Sequence, residues 1–449
     1  MLSTYSSDAD DAPEFCRARP GAPPRRLRLR TNFLWTLSGN ITYVACQWGI
    51  LVVLAKLGTP QMVGQFALAL AITAPVIIGA GMALRSVQAT DAAAEYRFGD
   101  YLLLRLFMTA LAGLVILGIV WFSGYDRHTA SVILVVGLAK GLESISDIFY
   151  GLLQQHERMD RIAVSMMIKG LLSLVAVACA VCLGRDLLLG CCSLAAAWAV
   201  ILVVYDVRSG ASVLPPSQEA GRAAAAARAG MARRLHLQWR PRAVLPLTLL
   251  ALPVGVVMAL LSFNANIPRY FIQHYLGTRE LGIFAALAYP LTAGTTVIGA
   301  LGQSASPRLA RHYVQGDYRA FSSLLRKLVC LSSLIGLVGI LLIWLAGRPI
   351  LLLLYQPEYA DQVTAFFWLA VAAGIGYAAS LLGYGMTAAR YLRAQVPVFL
   401  AVTLVTAAAC AVLVPGHKLS GAAIAMMLAT VCQIAGSSAV IAHALRSRN

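Results

Sequence analysis

Leu57-Gly58-Thr59, then Gly64-Gln65-Phe66-Ala67, then Tyr96-x-x-Gly99-Asp100-Tyr101 is the stretch that decides how this chain folds, because the chain writes it twice. Leu276-Gly277-Thr278, Gly282-Ile283-Phe284-Ala285 and Tyr313-x-x-Gly316-Asp317-Tyr318 repeat the order and nearly the spacing, with one residue dropped from the first gap. Self-similarity of this length marks an internal duplication. Both copies lie between apolar runs long enough to cross a bilayer. The pattern predicts a membrane protein built from two homologous halves, a plan common among secondary transporters.

Composition agrees. The 449 residues are 59% hydrophobic and only 12% charged, where soluble chains carry about 25% charged residues. The net charge of +17 would suggest nucleic acid only if the basic residues shared a soluble face. They collect instead between apolar runs, so no nucleic-acid partner is expected. Nine cysteines are scattered, mostly through apolar segments (Cys46, Cys182, Cys330, Cys410, Cys432), with no ligand-like His spacing, so neither a metal site nor a disulfide framework is expected.

A helix needs about 20 apolar residues to span the hydrocarbon. That rule places helices near 33–56, 62–84, 101–122, 130–152, 162–184 and 187–205, and again near 247–276, 280–303, 327–346, 361–385, 395–414 and 419–443. The expected fold is an all-α polytopic membrane protein of about twelve spans. Its parts are a disordered basic tail over 1–30, a six-helix lobe over 31–205, a basic linker over 206–243 and a second six-helix lobe over 244–445. The acids Asp8, Asp10, Asp11 and Glu14 argue against a transit peptide, and the next apolar run lacks a cleavage site, so it reads as an uncleaved first helix.

Basic residues sort by loop. With the N-terminus inside, the inner segments hold the tail arginines, Arg85, Arg97, Arg158, Arg161, the run Arg208 to Arg242, Arg308, Arg311, Arg319, Arg326, Lys327, Arg390, Arg393, Arg446 and Arg448. The outer loops hold little beyond Lys56, Arg127, Arg185, Arg279, Arg348 and Lys418. This asymmetry puts both termini in the cytoplasm. An even number of spans per half makes the repeat parallel, with lobes related by an axis along the membrane normal. The linker reads as a solvated hinge, with a short basic amphipathic helix over Gly221 to Arg234 on the anionic inner leaflet as the other reading.

Charges within the spans carry the chemistry. Lys140, Glu143 and Asp147 share one face of the fourth helix, with Gln154 on the same stripe. A charge at the bilayer centre costs about 2.5–3.5 kcal/mol, so this face should look into the protein or a water-filled cavity. Lys169 enters from the fifth helix at a depth of about 12 Å, matching Asp147, and an Asp147–Lys169 ion pair is expected. Two roles stay open for Glu143 and Asp147: a structural ion pair that locks helices, or coupling of a proton or cation to transport. Gly137-x-x-x-Gly141 is a close-packing motif. Pro75 and Pro290 should break the second helix of each half. In the seventh helix Pro253 and Pro268 bracket Ser262, Asn264 and Asn266; the first helix carries Ser38, Asn40, Gln47 and Trp48. These two helices read as cavity walls.

Gly39-Asn40-x-x-Tyr43 with Gln47-Trp48, the string from Ser146 to Gln154 followed by Glu157-Arg158-Met159-Asp160, and Ile267-Pro268-Arg269-Tyr270 with Pro307-Arg308-Leu309-Ala310 resemble the Wzx-type polysaccharide-precursor flippases. These belong to the multidrug/oligosaccharidyl-lipid/polysaccharide (MOP) exporter superfamily. The likeness spans about residues 33 to 443 and rests on the order of short motifs. It implies a MATE-like arrangement of two lobes around a central cavity, alternating access, and transfer of an undecaprenyl-diphosphate-linked oligosaccharide from the inner to the outer leaflet of the bacterial plasma membrane. It implies no cofactor. Membrane lipids, and the polymerase and chain-length proteins of the same pathway, are the further partners it implies.

The residues point the same way. A lipid diphosphate is anionic, and Lys140, Lys169 and Arg269 are cationic, while Asn40, Gln47, Trp48, Asn266 and Tyr270 offer polar and aromatic contacts to sugars. Arg269 should lie about 12 Å below the end of its helix, placed either to bind phosphate or to satisfy a carbonyl freed by Pro268. The absence of a G-x-x-x-x-G-K-[ST] loop argues against nucleotide hydrolysis by that route. An enzyme acting on the same lipid would need catalytic groups, commonly carboxylates, on large outer loops, which this chain lacks. A multidrug antiporter of the same superfamily is the alternative; its cavity would favour unpaired carboxylates.

Overall fold

The structure is a computed structural model and describes residues 29–91, 95–214, 241–389 and 391–446. The expected tail lies almost wholly outside the described residues, as does most of the expected linker. Among the described residues every regular element is helical: α1 (Leu29–Leu57), α2 (Pro60–Gly81), α3 (Leu84–Thr90), α4 (Phe98–Phe122), α5 (Arg127–Gln155), α6 (Met159–Gly184), α7 (Leu187–Ile201) and α8 (Val207–Ala211), then α9 (Pro241–Leu276), α10 (Thr278–Ala288), α11 (Thr292–Val314), α12 (Tyr318–Leu354), α13 (Pro357–Ala360), α14 (Val363–Ala388) and α15 (Leu392–Arg446). Helix starts follow from local chemistry. Thr59 is extended and its hydroxyl accepts from the Met62 amide, with Pro60 at the first helical position of α2. Asp126 accepts from the Thr129 amide and opens α5. Both satisfy donors that a helix N-terminus leaves free.

Ten helical segments among the described residues are long and apolar enough to cross a membrane. α5 is of spanning length but carries Lys140, Glu143 and Asp147, and α15 is divided at Lys418 by a non-helical φ of 50°. With these two, the described residues hold twelve spans. They alternate between two faces, here the base, where α1 begins, and the crown, at Gly58, Gly124, Arg185, Gly277, Tyr355 and Lys418.

The two halves pack by one plan. In the first lobe α5 is the hub, against α2, α4 and α7, while α1 packs on α6. In the second lobe α14 is the hub, against α11, α12 and α15, while α9 packs on α15. The repeated tyrosines explain one copy of the motif: Tyr96 and Tyr101 meet edge-on at 5.9 Å, and Tyr313 and Tyr318 meet edge-on at 5.7 Å. The intervening Asp caps a helix in each half, Asp100 accepting from the Arg97 amide and Asp317 from the Ala320 amide.

The other copy of the motif joins the lobes. A Cβ on Gly64 would run into the carbonyl oxygen of Thr278, and a Cβ on Gly282 into that of Pro60. Gly64 and Gly282 are the same residue of the repeat, so α2 and α10 cross on a pseudo-twofold axis with reciprocal contacts. The Gln356 amide donates to the carbonyls of Lys56 and Gly58, and the Trp48 indole to the Tyr355 hydroxyl at 3.4 Å, which closes the crown. Toward the base the lobes part except along α9, whose Val244, Leu247 and Ala251 join an apolar cluster with Met82, Leu84 and Tyr101. Pro290 coincides with the expected break, a 3₁₀ turn over Tyr289–Leu291. Pro75 does not break α2; the helix runs to Gly81 and turns at Met82 and Ala83, both left-handed. The freed carbonyl opposite Pro75, that of Ala71, accepts from the Tyr270 hydroxyl of the second lobe, so the helix holds its course.

A charged cavity between the lobes

α5 carries the site because its 3.6-residue period and its place at the hub turn one polar face inward. Tyr43, Arg85, Arg105, Lys140, Glu143 and Asp147 line a cavity of about 430 Å³ that also reaches Tyr150, Lys169 and, across the gap, Met258 of α9. Lys140 and Glu143 pair at 2.8 Å, the Tyr43 hydroxyl donates to Glu143, and the Lys140 ammonium lies 5.1 Å from the Trp198 ring centroid.

The expected Asp147–Lys169 pair is not formed. Asp147 turns toward α3 and α4, with one carboxylate oxygen 3.0 Å from Arg85 and the other 3.6 Å from Arg105. Lys169 is paired with Asp206 at 3.2 Å and with the Tyr150 hydroxyl at 3.0 Å, both charges sealed from solvent. The physical reason is the end of α7. A π turn over Leu202–Asp206 widens the helix and carries it on to Ala211, so Asp206 is buried in the lobe rather than leading into a linker. Sequence reading missed Arg105 and Asp206. Arg105 carried its own signal, a charge inside the 101–122 run; Asp206 carried none, lying one residue past the expected span.

The other candidate residues are dispersed. Asn40 is exposed, whereas Gln47 and Trp48 are half-buried higher on α1, Trp48 within the crown closure. In α9 Arg269 is half-buried and donates to the Asn266 side chain at 2.7 Å; Asn266 is itself buried and donates to the Ser262 carbonyl. No carboxylate among the described residues lies within salt-bridge range of Arg269. Arg269 stands about 16 Å above Met258 along α9, toward the crown and outside the lining of the charged cavity. Thr292, Thr295, Thr296, Gln303 and Ser304 of α11 are exposed within their span, as Asn40 is in α1. Most of these groups bond back to carbonyls of their own helix, Asn40 to Thr36, Thr292 to Tyr289 and Ser304 to Leu301, and they give α1 and α11 polar faces left unpacked by the lobes.

Two parallel six-helix lobes, closed on one face over a charged and water-accessible cavity, define a multi-pass membrane transporter. The chain matches the family described as "Polysaccharide biosynthesis protein" over residues 29–313, more than half its length, and it belongs to that family. A MatE match covers residues 253–389. It is 26% identical over 406 residues to the capsular polysaccharide biosynthesis protein CapF of Staphylococcus aureus, covering 88% of this chain and 95% of that protein. Among solved structures it is similar to the lipid II flippase MurJ in an inward closed conformation, with TM-score 0.67, 9% identity and coverage of 93% and 91%. An inward-facing multidrug resistance MATE family transporter of the MOP superfamily gives TM-score 0.63 at 14% identity, covering 94% and 96%. At such identities the likeness is one of fold, and the fold is the MOP fold.

Proposed function

We propose that this protein flips an undecaprenyl-diphosphate-linked oligosaccharide from the cytoplasmic to the outer leaflet of a bacterial plasma membrane by alternating access. The base is the cytoplasmic face, and the cavity between α1 and α11 admits the headgroup from there. The observation that carries the reading is the sign of the cavity. Arg85, Arg105 and Lys140 outnumber Glu143 and Asp147 around one space, the Lys169 charge being matched by Asp206, and Arg269 stands farther toward the crown with no described acid in range. A diphosphate supplies the missing negative charge, and Arg binds it bidentately. Membership of the polysaccharide biosynthesis family and the likeness to CapF and MurJ support the same substrate class.

In this reading Arg269, held by Asn266, receives the diphosphate near the crown, while Tyr270, Asn40, Gln47 and Trp48 meet sugar. Lys140 draws the headgroup inward although Glu143 shares its charge. Lys169 makes no contact with the substrate and adds little net charge, since Asp206 occupies it. A drug antiporter would share the fold, and the MatE match over 253–389 fits that fold; its hydrophobic cations would meet a repulsive wall here.

Arg269 tests the proposal. Arg269→Ala should abolish polymer export in a deletion strain at normal membrane abundance, and Arg269→Lys should retain part of it, because a point charge still attracts phosphate. Reduced abundance rescued by Pro268→Ala would instead assign Arg269 to satisfying backbone beside the proline. Full export by a well-expressed Ala variant would sink the substrate contact.

A further inference from the structure

Arg105 is a buried guanidinium that its own lobe leaves incompletely bonded. It is 3% exposed, yet lines the cavity. Its Nη1 donates to Ser144 at 3.0 Å, its Nη2 lies 3.6 Å from Asp147, beyond hydrogen-bond range, and its Nε has no partner. A guanidinium offers five donors, and leaving buried donors unmet is costly. Arg85 reaches the same carboxylate from α3, donating Nη1 to Asp147 at 3.0 Å and Nε to Gln154 at 3.1 Å. Asp147 thus presents one oxygen to each arginine. It is a third exposed, open to the cavity it lines.

We propose that Arg85 and Arg105 form a diphosphate site which the protein occupies with its own carboxylate, Asp147, until the lipid-linked substrate displaces it. This rests on the flippase reading and adds to it a second diphosphate site, on the base side of Arg269, with a built-in competitor. The chemistry favours exchange. A diphosphate has more acceptor oxygens and more charge than a carboxylate, and it can span the two guanidiniums with contacts that Asp147, at 3.6 Å from one of them, does not make. The displaced Asp147, already partly hydrated, turns into the water of the cavity. A resident carboxylate also keeps two close arginines from repelling each other when no substrate is present, and it holds affinity low enough for release.

Binding to purified protein in detergent tests this, with farnesyl diphosphate as the probe and inorganic pyrophosphate and farnesol as controls. Asp147→Asn removes the competitor and should lower the Kd for farnesyl diphosphate at least tenfold, while lowering the melting temperature of the unliganded protein. Adding Arg105→Lys or Arg85→Gln to Asp147→Asn should raise the Kd at least tenfold again. Melting curves with and without probe show that each variant is folded. Pyrophosphate should compete and farnesol should not; the reverse would assign binding to the isoprenyl chain and overturn the site. An unchanged or weaker Kd in Asp147→Asn, with wild-type binding intact, overturns the competitor while leaving the flippase reading standing. No diphosphate binding by the folded wild type or any variant overturns both.

Discussion

Lys169 and Asp206 are both nearly sealed from solvent, at 2% and 1% side-chain exposure, so neither charge can fall back on water if the other is lost. Removing one member of such a pair costs about 3–5 kcal/mol, whereas replacing both with neutral groups is often harmless. Lys169→Met and Asp206→Asn should each cut membrane abundance and lower the melting temperature in detergent, and the double variant should recover both, with export restored. A folded double variant that exports nothing would move the pair from architecture into mechanism. This residue scale is where the sequence misleads most. The spacing of Lys140, Glu143 and Asp147 does put them on one cavity-lining face, as the helical period requires. The partners of Asp147 and Lys169 depend on two local events that periodicity does not encode: a left-handed corner at Met82–Ala83 that brings Arg85 under α5, and a π turn that brings Asp206 inward.

Among the elements, the crossing of α2 and α10 is the contact whose geometry the duplication explains. Gly64 and Gly282 allow each backbone to reach the other, and neither neighbour is a flexible side chain that could move aside. Gly64→Ala and Gly282→Ala should therefore hold the crown open. The distance between α1 and α13 reports this, because Gln356 bonds the Lys56 carbonyl at 3.0 Å across the closure. Disulfide formation between Lys56→Cys and Gln356→Cys, in a background without native cysteines, should be efficient and fall several-fold when either glycine becomes alanine. Unchanged cross-linking at normal abundance would show that the crown closes without this crossing. The fold was legible in the sequence for the same reason that the crossing exists: duplicated motifs lie at duplicated helix ends, and apolar runs of spanning length are hard to mistake. Element ends were less legible. α2 passes Pro75 because the second lobe supplies the Tyr270 hydroxyl, a partner invisible to any local window.

For the whole molecule, sidedness follows from how the basic residues divide between the faces. The base carries Arg97, Arg158, Arg161, Arg208, Arg308, Arg311, Arg319, Arg326 and Arg446, whereas the crown has Lys56, Arg127, Arg185, Arg279, Arg348 and Lys418. Arg279, moreover, is neutralised by Glu280 and Glu358. Lys and Arg in short loops are retained in the cytoplasm, so the base should face inward and the crown outward. The parallel repeat makes the consequence strict: the segment joining the halves must lie on the same side as both ends of the described chain. Reporter fusions at Ser217, in the joining segment, and at Thr59, at the crown, should report opposite compartments, with Ser217 cytoplasmic. A fusion at Gly277, the second copy of the crown turn, should agree with Thr59, because six spans separate repeat-equivalent positions. If Gly277 and Thr59 report opposite sides, the halves are inverted rather than parallel, and the pseudo-twofold crossing of α2 and α10 could not lie along the membrane normal. If Gly277 agrees with Thr59 and Ser217 lies opposite to both but outside, the lobes stand and the direction of transport proposed from the loop charges falls.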